Sequence, residues 1–418
     1  MKKVVSLSLA FIFGAALSAA DIYVDYEKGK SKAPATKEAP LDCFARAINR
    51  AKAGDTIYIL PASKPIRDTI LVRKKVGVAG KPIIIDGMNN IFLGTDPLDA
   101  KKWKEIKPGY FSLTMPLGNN MASRFYMTRN GKAVRMGRFN KATGSKKFKT
   151  VDELQPGEWT MVRGKMLGGN NKKHPNYAYE CIIRLPEGAK GVADSGFAMP
   201  VMRRISGVNI ANDCHYIHFR NMIVKHFFND GYNIHGNCRN IIFENIAAVE
   251  CGDDAISAHE TGLIYVKNMV AIGCSTAICH INKSENHHEN VYAEKILGRD
   301  IFLTESTQNT LVNGWFKADS IGGFRLTTRK DTKQTFLMKN VRMINSNPKA
   351  PFDVMSPGVL EFKGEDVKIA NYSKVHKDLA KQVTQVKAEE IAEEIEAARK
   401  RLFAIFGGQL EKALGNDL

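Results

Sequence analysis

Short apolar runs recur through the middle of this chain with a period close to two dozen residues. Ile217, Ile241 and Ile264 follow one another at steps of 24 and 23. The segments around them, YIHFRNMIVKHFFNDGYNIHG, NIIFENIAAVECGDDAISAHE and LIYVKNMVAIGCSTAICHI, share one order of β-branched, apolar and turn-forming residues. Looser copies read NVYAEKILGRDIFLTE, TLVNGWFKADSIGGFRLTT and TFLMKNVRMINSNPKAPFDVM. A unit of this size cannot bury its own apolar face and gains a core only by stacking on copies of itself. The pattern predicts an all-β, right-handed parallel β-helix of at least six coils, with the three isoleucines inward on consecutive coils. Parallel stacking repeats equivalent side chains about every 4.8 Å. Asn221, Asn245, Asn268 and Asn340 are therefore expected to form a ladder, bonded to one another and to the turn backbone.

The pattern changes on either side of these coils. Residues 1–20 have a basic start, an apolar run from Val4 to Leu17 and small residues at Ser18 and Ala20, the order of a cleaved export signal. Residues 21–95 carry the strand DIYVD, a helix predicted from Phe44, Ala45, Ile48 and Ala51, and the strands TIYIL and KPIIIDG. This opening resembles the N-terminal cap and first coils of many secreted right-handed β-helix proteins. Residues 96–200 lose the repeat and gain aromatics and hairpin signals such as Asn130-Gly131, predicting an inserted β-rich subdomain. Its basic residues (GSKKFK, Arg135, Arg138, Lys172 and Lys173) are expected to form a wall over one face of the solenoid. Coils resume over 201–371. In 372–418, Leu379, Val383, Val386, Ile391, Ile395, Leu402 and Phe406 recur at helical steps, predicting an amphipathic helix that packs along the solenoid or covers its last coil.

Composition narrows the partners. The 418 residues carry a net charge of +18, which suits a polyanion. No nucleic-acid motif is present, and export argues against a genomic partner. No segment after the leader is long and apolar enough to span a bilayer. The expected location is secreted or periplasmic, without a lipid anchor, and the oligomeric state is not legible. Of the seven cysteines, Cys251 and Cys274 are 23 apart and are expected to stack as core thiols; no zinc pattern occurs.

The chemistry concentrates at residues 229–260. Aligned by their strands, Asn229-Asp230-Gly231 lies over Asp253-Asp254-Ala255, and His235 and His259 each follow five residues after an aspartate. Tyr232, Ile234, Ile256 and Ala258 share the inward parity. Asn233, His235, Ser257 and His259 then point outward. Carboxylates crowded at a turn raise at least one carboxyl pKa, giving the acid and base that glycosidic cleavage needs. Asp230, Asp253, Asp254 and His259 are the catalytic candidates. Asn233, His235, His280 and Lys283 are candidates for substrate contact. No metal ligand set or cofactor is expected, although carboxylates of this kind favour calcium.

NDG followed one coil later by CGDDAIS resembles the NTDG and GDD motifs of the polygalacturonase-type glycoside hydrolases. The strict likeness covers about thirty residues. It implies a pectin-lyase-like solenoid, inverting cleavage of an acidic polysaccharide, and action of Asp230, Asp253 and Asp254 on the glycosidic oxygen and the attacking water. The family's GHG is replaced here by Ser275-Thr276-Ala277. Its RIK is approached by Arg325-Leu326-Thr327, which makes Arg325 a substrate-binding candidate. Over nearly its whole length, the chain is similar to exported β-helix repeat proteins of polysaccharide-degrading bacteria. The leading expectation is a hydrolase acting on an acidic polysaccharide through paired aspartates. A polysaccharide lyase with His259, His235 or Lys283 as base is the alternative, and a non-catalytic glycan-binding scaffold is the third.

Overall fold

The computed structural model describes residues 19–122, 124–136, 148–168 and 176–415. Residues 1–18 of the expected export signal lie outside the described residues, as do Arg138, Lys146, Lys147, Lys172 and Lys173 of the expected basic wall. The repeat resolves into two long parallel sheets. One contains nine short strands in the spatial order Ile70–Arg73, Val208–Ala211, Tyr232–His235, Asp254–Ala258, Thr276–His280, Arg299–Thr304, Phe324–Thr327, Pro351–Met355 and Lys374–Val375. The other has eleven strands, most of them longer, running from Asp21–Val24 to Thr384–Gln385. After the first two strands, which both join the eleven-stranded sheet, the solenoid strands alternate between the two sheets and the chain climbs as a right-handed parallel β-helix. Ile217 pairs with Ile241, and Ile241 with Ile264, all fully buried.

The long strands bend sharply at one asparagine each. Asn221, Asn245, Asn268, Asn290, Asn313 and Asn340 all have φ between 53° and 60°, a left-handed conformation that asparagine tolerates better than most residues. Each side-chain amide donates to the Oδ1 of the preceding rung, at 2.9, 2.9, 3.0, 3.0 and 2.7 Å, and Asn221 donates to Asp86 at 3.1 Å. The ladder turns each strand. Ile217 and Phe219 on one side of the bend, and Met222 and Val224 on the other, thus fill the same interior. Cys251 and Cys274 are buried free thiols in this core.

The chain leaves the solenoid after Gly94 and returns at Val201, whose amide donates to the Gly94 carbonyl at 3.1 Å. Between these points lie two four-stranded antiparallel sheets. Trp103, Tyr126, Trp159, Tyr179 and Phe197 form a separate core beneath them, into which the solenoid inserts Phe228. Tyr126 Oη donates to the Phe227 carbonyl at 3.0 Å. Arg135, expected in an open basic wall, instead lies over the Tyr126 ring and donates to the carbonyls of Cys251 (2.8 Å) and Gly273 (3.2 Å). The insertion is thereby fixed to the turns that lead into the nine-stranded sheet.

At the N-terminus, Phe44–Arg50 forms the capping helix; Ala47 rather than Ala45 joins Phe44 and Ile48 in the buried stripe. At the other end the helix is shorter than its apolar pattern predicts. Leu379 enters the solenoid core, and Thr384–Gln385 adds a last strand against Lys368 and Ile369 before the helix Glu389–Ala404 begins. This helix and Gln409–Leu414 lay Ile391, Ile395, Leu402, Phe406 and Leu410 on the outward side chains Ile223, Val249, Val270, Ile272 and Trp315. The C-terminus thus straps the outside of the solenoid. Among the described residues, no helix is long and apolar enough to cross a membrane.

Candidate active site

Three carboxylates meet where two successive coils turn into the nine-stranded sheet. Backbone bonds fix the turns on each other: Asp253 N donates to Asn229 O (3.0 Å) and Gly231 N to Asp254 O (2.8 Å). The carboxylates of Asp230, Asp253 and Asp254 each present an oxygen within 4.8 Å of the others. Asp230 is almost completely buried. Its Oδ1 accepts the Asp254 backbone amide at 3.1 Å and its Oδ2 accepts the Asn229 side-chain amide at 2.8 Å. Asp253 is the more exposed member and pairs with Arg124 of the insertion, Nη2 to Oδ2, at 2.9 Å. Arg124 also donates to the Asn229 side chain, so one guanidinium bridges the two turns.

Burial and mutual repulsion set the protonation of this group. Asp230 is pushed well above the usual carboxylate range by burial, then by Asp254 and Asp253. Asp254 is pushed up to about 7 by burial and by Asp253, against the opposing pull of Arg124. A carboxyl with that pKa retains a proton at the pH where an exposed one has lost it. Asp254, only 7% exposed, therefore holds a proton beside the ion-paired Asp253. The inverting pair implied by the sequence resemblance is commonly about 6.5–9.5 Å apart to hold water between its members. This cluster is tighter than that, so an attacking water must approach from outside it.

The three carboxylates present oxygens at a spacing that suits a cation, and Arg124 is the counter-charge already there. Calcium takes about six to eight oxygen ligands, whereas both Asp230 oxygens already accept hydrogen bonds and Arg124 occupies the open side of Asp253.

His235 and His259 stack in register, ring centroids 4.0 Å apart and planes at 21°. His259 Nε2 lies 2.7 Å from Ser257 Oγ, and His235 Nδ1 lies 3.3 Å from Glu260 Oε2. The Glu260 carboxylate also accepts the Gly236 amide at 2.9 Å. Burial, then the charges of His235 and Arg124, hold His259 down at about 3. It is a neutral imidazole at physiological pH and a weak base. His235, His259 and Glu260 each present a ligand atom within 4.8 Å of the other two, a spacing that suits a metal ion.

The remaining candidates separate. Asn233 aligns with Ser257 as expected but is only 5% exposed, and its Oδ1 is buried with no partner. His280 does not join the stacked histidines: it aligns with Ala258, not His259, and is fully buried. It shares the parity of Ile256 and Ala258, which puts it in the inward column whether the step between coils is 22 or 24 residues. There its Nδ1 accepts the Ala258 amide at 3.1 Å and its Nε2 lies 3.3 Å from His288 Nε2. Cys279 takes the outward position instead and bonds Asp254. Lys283 is exposed in the turn after Thr276–His280, at the far end of the strands from the aspartates. Arg325 faces outward on the same sheet, aligned with Phe302. Arg124, Cys279 and Arg299 were not visible from the motifs. Arg124 is 105 positions from its partner Asn229, and no repeat links them.

No protein-family model matches this chain, and no curated protein sequence does. Solved structures do match. The complex of XylC with xylose has 11% identity over 88% of this chain and 70% of that one, with a TM-score of 0.45. Pectate lyase Pel9A has 11% identity over 86% and 73%, also at 0.45. A rhamnogalacturonan lyase has 11% identity over 89% and 86%, at 0.37.

Proposed function

We propose that this protein is an exported carbohydrate-active enzyme that hydrolyses glycosidic bonds in an acidic polysaccharide. The observation that carries this reading is Asp254: a carboxyl raised to about 7 beside the ion-paired carboxylate of Asp253. Asp254 acts as general acid on the glycosidic oxygen. Asp253, the more exposed of the pair, faces the sugar and supports the positive charge that develops at the anomeric carbon or activates the incoming water. Asp230 lies beside them, almost completely buried, and its own carboxyl is raised by burial and by the charges of Asp254 and Asp253. The order of basic, apolar and small residues in the leader supports action outside the cytoplasm.

The lyase alternative needs a strong base at the carbon next to a uronate carboxylate. His259, held near 3, is a weak one, and Lys283 sits at the wrong end of the strands. Incubating the purified protein with pectic, alginate, sulfated and glycosaminoglycan chains tests the reading. New reducing ends without ultraviolet absorbance support hydrolysis. Unsaturated, absorbing products would move the chemistry to elimination. Binding without any turnover would leave the scaffold.

A further inference from the structure

Among the described residues, two guanidiniums on the outer face of the nine-stranded sheet form no ion pair. Arg299 opens the strand Arg299–Thr304 and aligns with Thr276, which aligns with Asp254. It thus stands two coils from Asp254, about 10 Å along the solenoid axis at the usual strand spacing. Phe302, on the same strand, aligns with Cys279 on one side and Arg325 on the other. The Arg299 guanidinium lies 4.1 Å from the centre of the Phe302 ring, which fixes its plane and leaves its N–H edge free to donate. Among the described residues neither Arg299 nor Arg325 forms an ion pair, and Arg325 Nε is buried with no hydrogen-bond partner. Asp353, the carboxylate aligned with Arg325, lies 3.5 Å from Lys374 Nζ instead. Burial and the charge of Arg325 both act against Arg299, while the more distant Asp254 and Asp253 favour it. A planar, forked donor of this kind matches a carboxylate or sulfate bidentately.

We propose that Arg299, Phe302 and Arg325 form a subsite for an anionic sugar, with the two guanidiniums gripping its carboxylate or sulfate and the Phe302 ring offering an apolar floor. The separation from Asp254 is one that a short oligosaccharide spans, so the subsite would hold the chain in register with the carboxylate cluster. This rests on the polysaccharide reading for its biological meaning, but the binding itself does not require cleavage.

The test is calorimetric or NMR-detected binding to the full chain of three probes: trigalacturonate, a sulfated chondroitin disaccharide and neutral cellotriose. The expected result is binding of at least one anionic probe, weakened by added salt, with cellotriose much weaker. The preferred anionic probe identifies carboxylate or sulfate as the ligand. Arg299→Gln and Arg325→Gln should each weaken that binding tenfold or more. Arg325→Lys, which keeps the charge but loses the fork, should fall between. Unchanged melting temperatures exclude a folding effect. No binding of either anionic probe, or equal affinity in wild type and both glutamine variants, overturns the proposal. Asp254→Asn separates the two readings. Unaltered anion binding with lost cleavage upholds both, whereas unaltered cleavage removes the hydrolase assignment and leaves the subsite standing.

Discussion

The backbone amide of Asp254 donates to Oδ1 of Asp230 on the preceding coil at 3.1 Å, and the two carboxylates share one buried corner. The repeat therefore does more than stack strands. By placing an acidic turn over an acidic turn, it makes two carboxylic acids whose ionisation is mutually opposed. Arg124 reaches in from the insertion and allows Asp253 to carry charge beside them.

Stability should fall with rising pH because of this corner. Asp254 has a folded-state pKa near 7, against about 3.9 in an unfolded chain. Between those values the folded state holds more protons than the unfolded one, so stability is full below about pH 4 and is lost as pH rises through 7. Asp230 is shifted in the same direction. Asp254→Asn, which mimics the protonated acid, should flatten this dependence and be the more stable protein at pH 8, by an amount on the order of a few kcal/mol. Urea denaturation at pH 4, 6 and 8 checks it; parallel pH profiles for the two proteins would count against the assigned pKa.

Removing the guanidinium should raise Asp254 further. Arg124 opposes the upward shift, so Arg124→Gln is expected to move the Asp254 titration to higher pH, by roughly one unit or more. Carbon NMR of labelled aspartate carboxyls reads this without a substrate. A downward move would mean that the ion pair with Asp253 is not the dominant coupling.

The asparagine ladder should be costly to interrupt in its interior. Asn268 has φ 57° and bonds both neighbouring rungs. Asn268→Ala loses those bonds and forces alanine into the left-handed region, at a cost of about 2–4 kcal/mol. Asn268→Gly keeps the backbone conformation and should cost less. Equal losses in the two variants, measured by denaturant unfolding, would show that conformation contributes little.

Chelation should leave the protein unchanged. Arg124 already serves as counter-ion to Asp253, so neither calcium nor a calcium chelator is expected to shift the melting temperature. A rise of several degrees with millimolar calcium would show that the cation displaces Arg124.

The isoleucine column and four rungs of the ladder were legible because a repeat fixes register, and register fixes which side chains stack. Asn290 and Asn313 escaped notice because the apolar residues around them diverge from the earlier coils: Ile264 is followed in its column by Asn286 and Asn309. The same rule places His280, which shares the even parity of Ile256 and Ala258 and therefore belongs to the inward column, not beside His259. Arg124 could not be found this way, since it belongs to an insertion with its own core and meets the aspartates only through tertiary packing. Arg299 has no motif around it, and only its alignment through Thr276 to Asp254 connects it with the site.

The central claim is that Asp254 is the acid of a glycoside hydrolase. Its most direct test is the turnover of Asp254→Asn on whichever acidic polysaccharide the wild type cleaves, with reducing ends and ultraviolet absorbance followed together. A loss of about a hundredfold or more in kcat, with substrate binding retained and no absorbing product from the wild type, is the expected result. Near-normal turnover in the variant would contradict the assignment.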